Sequence, residues 1–392
     1  MRQSVRIWLQ AKPRHVFDVL KFNNVLCNLA GLNIYRFVGN PTNGVARLSA
    51  AKIANCVIVN LLLVFIAFVH ANIPYEYLNN GSIIVTYGIR TLLVAGMFGT
   101  GIVIIFYAWN WRSVLRFLQE LNQVDLTVLM KHPVDLATHK KQILLGSGLC
   151  LILHQSILLT YNAQTVMHIR ERSASWKMVF GQFYFNVVYF SIVCLFFSFL
   201  YIVSFRFVHL NQVLQVRFDT SNGERYASLV AENNYRSGTV QERIRVVQKM
   251  ATIYHQLTKI TSQMNQQFAD MLTMNIVVIL LFSVFNVFAL LKVYGSNDFR
   301  TRMFSMFNLV GGLYYTLMFL IIVALSQMVS QEVRYAYKLT GVLLHKAMNN
   351  ETNDELIRSM RLFSRQIRNR SAAIGSRQIV IDWSFIFQVR SM

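Results

Sequence analysis

Six stretches of the chain run for more than twenty residues without a Lys, Arg, Asp or Glu: 53–75, 91–111, 142–169, 178–205, 271–291 and 303–331. A helix needs about 20 apolar residues to cross a bilayer core of about 30 Å, and in lipid every backbone polar group must be satisfied internally. The chain is therefore expected to be all-α and polytopic, with six transmembrane helices. The second is expected to start earlier, near Ile83, with Arg90 snorkelling to the polar interface. Composition agrees, because 54% apolar and 14% charged residues leave too little polar surface for a soluble chain of this length. Four Pro and no Ser/Gly/Pro-rich linker argue against a string of domains. No early apolar run is flanked like a cleavable signal peptide, so insertion is expected to begin at an internal span.

Direction follows from Lys and Arg in the connecting segments, which are retained on the cytoplasmic side. The N-terminal segment holds 8, the loop after the second span 5, the loop after the fourth 8 and the C-terminal segment 10, against 1, 3 and 3 in the alternate loops. A division of 31 against 7 places the N-terminus inside. The net charge of +21 is thus mostly a topology signal, and no nucleic-acid partner is expected. The expected organisation is a cytoplasmic segment 1–52, spans one to four over 53–205, a cytoplasmic helical loop 206–270, spans five and six over 271–331, and cytoplasmic helices over 332–392. Asn80-Gly81-Ser82 is a sequon in the first outside loop, whereas the sequons at Asn350 and Asn369 lie inside, so Asn80 is the glycosylation candidate.

Charge inside spans marks pumps, proton relays and voltage sensors, and these runs carry none. Ion-coupled transport is disfavoured on that ground. The outer halves of the spans carry uncharged polar and aromatic side chains instead: Tyr87, Tyr161, Asn162, Gln164, Gln182, Tyr184, Asn186, Asn286, Asn308, Tyr314 and Tyr315. Rings supply contact area and amides supply orientation, so Tyr87, Tyr161, Tyr184, Asn186, Tyr314 and Tyr315 are the candidate ligand contacts. Interhelical bonding and interfacial anchoring are the competing roles for any one of them. Small residues at Ala95, Gly96, Gly99, Gly101, Gly311 and Gly312 let neighbouring helices approach closely. His154 and His168 have no Cys or carboxylate at ligand spacing, so no metal is expected. No phosphate loop, paired acidic motif or nucleophile elbow is present, so neither cofactor nor catalysis is expected. Cys27, Cys56, Cys150 and Cys194 include no close pair, and no disulfide framework is expected.

The loop before the fifth span reads as helix in its second half. Val240, Ile244, Val247, Ala251, Tyr254, Thr261 and Phe268 recur mostly at three- and four-residue spacing, and Leu257, Ile260, Met264 and Leu272 widen the apolar face. After the sixth span, Leu339, Leu343, Leu344, Leu356, Met360, Phe363 and Ile367 form a second amphipathic region. Long helices extending into the cytoplasm are expected from both.

Two stretches resemble the insect gustatory receptors, relatives of the odorant receptors. Leu257, Asn265, Phe268 and Leu272 are similar to that family's pattern where the cytoplasmic helix approaches the fifth span. Phe363, Gln366, Ala373, Gly375, Ile381, Asp382, Ser384 and Phe385 resemble its approach to the seventh helix. Length, inside N-terminus, span spacing and the long fourth loop agree. The resemblance implies a tetrameric ligand-gated cation channel, homomeric or built with related subunits, in the plasma membrane of chemosensory neurons. It also implies a pocket for small-molecule tastants among the outer helix halves, cytoplasmic helices that hold subunits together, and seventh helices that line the pore.

The sequence departs from that family at its end. The family closes with a span carrying Thr-Tyr and Gln-Phe, whereas here the last apolar stretch, 379–389, is eleven residues long and contains Asp382. That is too short to cross. The expectation is a truncated chain, translated into an unspliced intron near Gln388-Val389-Arg390, with a non-conducting six-span subunit as the alternative. A G-protein-coupled receptor would need an outside N-terminus and an acidic-Arg-aromatic triplet after its third span. A transporter would show internal repeats or broken helices. Neither receptor feature is seen, and the sequence gives little support to a transporter.

Overall fold

The fold is that of a computed structural model describing residues 13, 15–38, 45–72, 83–129, 136–168, 172–218, 239–294, 299–350 and 354–369. In chain order the elements are α1 (Val16–Val19), α2 (Lys21–Leu29), β1 (Tyr35–Val38), β2 (Val45–Leu48), α3 (Ala50–Asn72), α4 (Ile83–Trp109), α5 (Trp111–Leu129), α6 (Leu136–His168), α7 (Arg172–Phe218), α8 (Val240–Tyr294), α9 (Phe299–Asn350) and α10 (Asp354–Asn369). The expected apolar runs lie on α3, α4, α6, α7, α8 and α9. Among the described residues, α3 and the Val179–Gln215 part of α7 are long and apolar enough to cross a membrane. α7 is central: it packs on α2, α3, α6, α8 and α9, and Phe196, Phe199, Leu200, Ile202 and Val203 are buried along it.

The short helix α2 lies beside α7. The Asn23 amide donates to the Ser198 hydroxyl and to the Cys194 carbonyl at 3.4 Å. Gly31 ends α2 in a Schellman motif, with Leu32 N–H donating to the Cys27 carbonyl at 2.9 Å and Gly31 N–H to the Asn28 carbonyl at 3.3 Å. Its φ of 72° is in the left-handed region, and a Cβ there would sit 3.1 Å from the Cys56 Cα and the Val59 Cγ2. Gly31→Ala is expected to cost about 1–2 kcal/mol from the backbone alone, plus the displacement of α3. A thermal melt of the purified variant checks it.

β1 and β2 form an antiparallel pair in which Tyr35 faces Leu48 and Arg36 faces Arg47. α3 and α4 then pack side by side, closely enough that a Cβ on Gly101 would come 3.0 Å from the Asn60 Oδ1. The run expected to continue through Trp111 stops at Trp109. The Asn110 carbonyl accepts from Ser113 at 2.9 Å and from Val114 at 3.3 Å, which starts a new helix. The bend between Val94–Trp109 and Trp111–Asp125 is 64°.

Beyond the bend, α5 joins the end of α7, the first half of α8, the end of α9 and α10 in a helical base. Apart from the exposed Val240, the apolar residues read from the α8 sequence are buried or half-buried. Thr261 closes on the Leu257 carbonyl at 2.8 Å. α10 has Asp354 and Glu355 in its first turn and Arg368 in its last, which suits the helix dipole. It buries Leu356, Met360, Phe363 and Ile367, each contributing about 1.5–3 kcal/mol. Gln366 donates to the Ala251 carbonyl at 3.0 Å and fastens α10 to α8. Lys259 of α8 meets Glu120 of α5 at 2.8 Å, yet the lysine is half exposed. Lys259→Ala is therefore expected to cost no more than about 1 kcal/mol by melting, far less than the buried pair described next.

Candidate functional site

α6, α7 and α9 line a half-open cavity of about 160 Å³. Helical periodicity places its walls. Gln142, Ile143, Gly146, Ser147 and Cys150 recur at three- and four-residue spacing on α6; Phe190, Val193, Cys194, Phe197, Ser198 and Tyr201 do so on α7. Ile321 and Leu325 of α9 complete the lining. The walls are mostly apolar, with hydroxyls of Ser147, Ser198 and Tyr201 and the Gln142 amide as polar points. The volume corresponds to roughly five waters' share of the liquid. It is smaller than the roughly 300–1,000 Å³ of drug-sized pockets and suits a compact small molecule.

A defined contact stands near each end of the cavity. At one end His154 stacks on Phe190, with ring centroids 5.4 Å apart and planes at 20°, and the ring also meets the Asn186 backbone. Gln155 sits beside it on α6, and neither end of its buried amide has a hydrogen-bond partner among the described residues. The buried Ser326 hydroxyl, next to Leu325 on α9, is likewise without one. Unsatisfied buried polar atoms are costly, but neither of these two residues lines the cavity.

At the other end the Tyr201 hydroxyl bonds to the Gln142 amide oxygen. Immediately beyond lies the most strongly bonded group of the described interior. Arg206 Nε donates to Asp125 Oδ1 at 2.8 Å and Nη2 to Oδ2 at 2.6 Å, a bidentate pair whose side chains are 3% and 2% exposed. Nη1 lies 3.1 Å from His139 Nδ1. The imidazole is packed by Phe205 at 4.7 Å and Tyr201 at 6.0 Å between centroids. Tyr201 thus belongs to both the cavity floor and the packing of the charge cluster.

The sequence did not single out this cluster. Asp125 and Arg206 are 81 residues apart, and Arg206 directly follows an apolar run whose flanking charges are read as topology. One signal was available: Asp125 continues the apolar stripe of Val114, Phe117, Leu118 and Leu121 on α5, a face where an unpaired carboxylate could not stay.

The residues expected to contact ligand are not gathered in one place by the described structure. Tyr87 is 60% exposed on α4. Tyr184 is half-buried against the core, and Asn186 is buried beside His154. The side chains of Tyr161, Tyr314 and Tyr315 lie outside the described residues, as do Asn80, Gly375 and Asp382. Of the family-pattern positions, Leu257, Phe268 and Leu272 are buried, and the Phe268 ring packs against Phe196 at 5.0 Å and Phe199 at 5.8 Å.

A family model described as 7tm chemosensory receptor matches residues 20–388. The chain belongs to the 7tm chemosensory receptor family. The receptor also resembles the structure of the insect olfactory receptor OR5 from Machilis hrabei, with a TM-score of 0.60 over 95% of this chain and 94% of that chain. The two are 9% identical, so the likeness is one of fold. No curated protein matches the receptor in sequence. The all-α transmembrane fold and the membership of a chemosensory receptor family expected from the sequence are therefore both found.

Proposed function

We propose that this receptor is a gustatory-type subunit of a ligand-gated cation channel, tetrameric alone or with related subunits, and not an enzyme. The observation that carries the reading is the small, mostly apolar cavity with a few polar points between α6, α7 and α9, in a chain of the chemosensory family. A small organic tastant held there would bias the relative positions of three helices that continue into, or pack upon, the base. The exposed faces of the base helices would hold the subunits together. The proposed site is the plasma membrane of chemosensory neurons, with six spans and the N-terminus inside. A second reading, an odorant-type receptor, is favoured by the likeness to an insect olfactory receptor.

The test is current from cells expressing the receptor during application of tastants and volatile compounds. A tastant-evoked cation current supports the first reading, a response confined to volatiles the second, and silence with or without related subunits contradicts both. Ser147→Leu, which fills the cavity, is expected to raise the half-maximal concentration by about tenfold or more, equivalent to losing one apolar side chain's burial. The orientation is tested separately. Any N-linked glycan is expected on Asn80, so Asn80→Gln removes the glycosidase-sensitive mobility shift. A shift abolished instead by Asn350→Gln contradicts an inside N-terminus.

A further inference from the structure

Between Asp18 and Glu76 the sequence holds Lys21, Arg36, Arg47 and Lys52 and no acidic residue. The fold brings three of these basic residues to one corner. Arg36 and Arg47 are exposed and directly opposite each other in the β1–β2 pair, an arrangement in which like charges weaken a ladder. Lys52, at the start of α3, donates to the Tyr35 carbonyl at 2.8 Å and lies 5.9 Å from the centre of that ring. Tyr35 in turn stacks on Trp111 at 5.7 Å, with the Arg112 guanidinium 5.5 Å from the Trp111 ring. Among the described residues, none of Arg36, Arg47, Lys52 and Arg112 makes an ion pair.

Beside this corner a groove of about 640 Å³ opens between α3 and α4. Its wall includes Val57, Leu61, Val64, Phe98, Ile102 and Ile105, all exposed. It reaches Leu48 of the β-pair and Trp111 at the basic end. The Asn60 amide on its wall is already turned onto the Cys56 carbonyl at 2.9 Å. Among the described residues, the groove is apolar along its length, with the basic residues beside its Leu48 and Trp111 end.

We propose that this groove is a binding site for an anionic phospholipid, with an acyl chain between α3 and α4 and the head-group phosphate held by Arg36, Arg47 and Lys52. The charge layout matches an amphiphile with a single anionic end. In an isologous contact a second copy of the receptor would bring the same basic corner and nothing in that region to neutralise it. On the orientation proposed above, the corner faces the cytoplasmic leaflet, where anionic lipids concentrate. That leaflet assignment rests on the orientation; the lipid site does not.

The experiment exchanges the full-length receptor from mixed phosphatidylserine and phosphatidylcholine into detergent and measures retained lipid by native mass spectrometry. Wild type is expected to retain phosphatidylserine over phosphatidylcholine. R36Q/R47Q is expected to weaken that retention about thirty-fold, from the loss of two surface cations. Leu61→Trp, an exposed change that fills the groove, is expected to abolish it, with Ile102→Trp from the opposite wall as the second variant should the first not fold. R358Q/R361Q, on the exposed face of α10, is expected to leave it unchanged. Equal retention of the two lipids overturns the proposal. So does retention that survives both groove-filling changes, which would mean a head-group contact alone. Full displacement by inorganic phosphate would mean a free-anion site, and conversion of an oligomer to monomers by the groove-filling changes would mean a subunit interface; either overturns it as well. None of these readouts depends on ligand-evoked current, so the lipid site and the channel reading fail independently.

Discussion

Asp125→Ala is expected to destabilise the receptor by about 3–5 kcal/mol, because it leaves the Arg206 guanidinium buried with its two strongest acceptors gone. That is a large share of the stability of about 5–15 kcal/mol typical of a folded domain. The remaining partner, His139, cannot compensate, since its protonation would place a second positive charge beside the first. Arg206→Lys is expected to be damaging too, because an ammonium cannot reproduce the two parallel hydrogen bonds. D125L/R206M, which removes both charges and keeps apolar volume, is expected to recover most of the loss. Thermal melts of the detergent-purified variants, followed by size-exclusion chromatography, give the comparison. A melting temperature for Asp125→Ala equal to wild type would mean that the pair is solvated and structurally idle.

Tyr254→Ala is expected to have an effect of similar size, about 3–5 kcal/mol for removing a fully buried aromatic side chain. Tyr254 is the point where three helices of the base meet. Its ring packs edge-on against Phe207 of α7 at 5.8 Å and Phe363 of α10 at 6.0 Å. Burial also pushes its phenol above the usual tyrosine range. For such an acid the folded state favours the neutral form. Its contribution is fully present below the unfolded pKa of about 10 and is lost as pH rises from there toward the folded value. Tyr254→Phe keeps the ring and is expected to melt near wild type at neutral pH, with less loss above pH of about 10. In Tyr254→Ala, α10 should also become cleavable by trypsin at Arg361 and Arg365. Unchanged protection would show that Leu356, Met360 and Ile367 hold α10 without the ring.

What the sequence revealed and what it concealed divide along physical lines. The apolar runs were legible because lipid imposes length and forbids charge, and they lie on α3, α4, α6, α7, α8 and α9. The buried face of α8 was legible because Ile244, Val247, Tyr254, Leu257 and Phe268 repeat at helical spacing. The break at Asn110 was not, since Trp109 and Trp111 carry no charge and hydropathy runs through a bend without registering it. The polar contacts that join α2 to α7, from Asn23 to Ser198 and to the Cys194 carbonyl, cross 175 and 171 residues. Nothing in either local sequence announces it.

The candidate site was legible in kind more than in place. Uncharged polar and aromatic residues on spans were the chemistry sought, and the proposed cavity carries a few of the same kind. The cavity nevertheless lies where Ser147, Cys150, Phe190 and Tyr201 converge, and these positions look like ordinary span residues until α6, α7 and α9 are brought together. Among the described residues, the expected contact Asn186 meets His154, which stacks on Phe190 of the cavity wall. Tyr87, on the exposed side of α4, does not contribute to this cavity.

The most direct measurement is a cryo-electron-microscopy map of the full-length receptor prepared with a compound that activates it. The account predicts ligand density between α6, α7 and α9, in contact with Ser147, Phe190 and Tyr201. Density at any other position, with this cavity empty or filled by rearranged side chains, would contradict it.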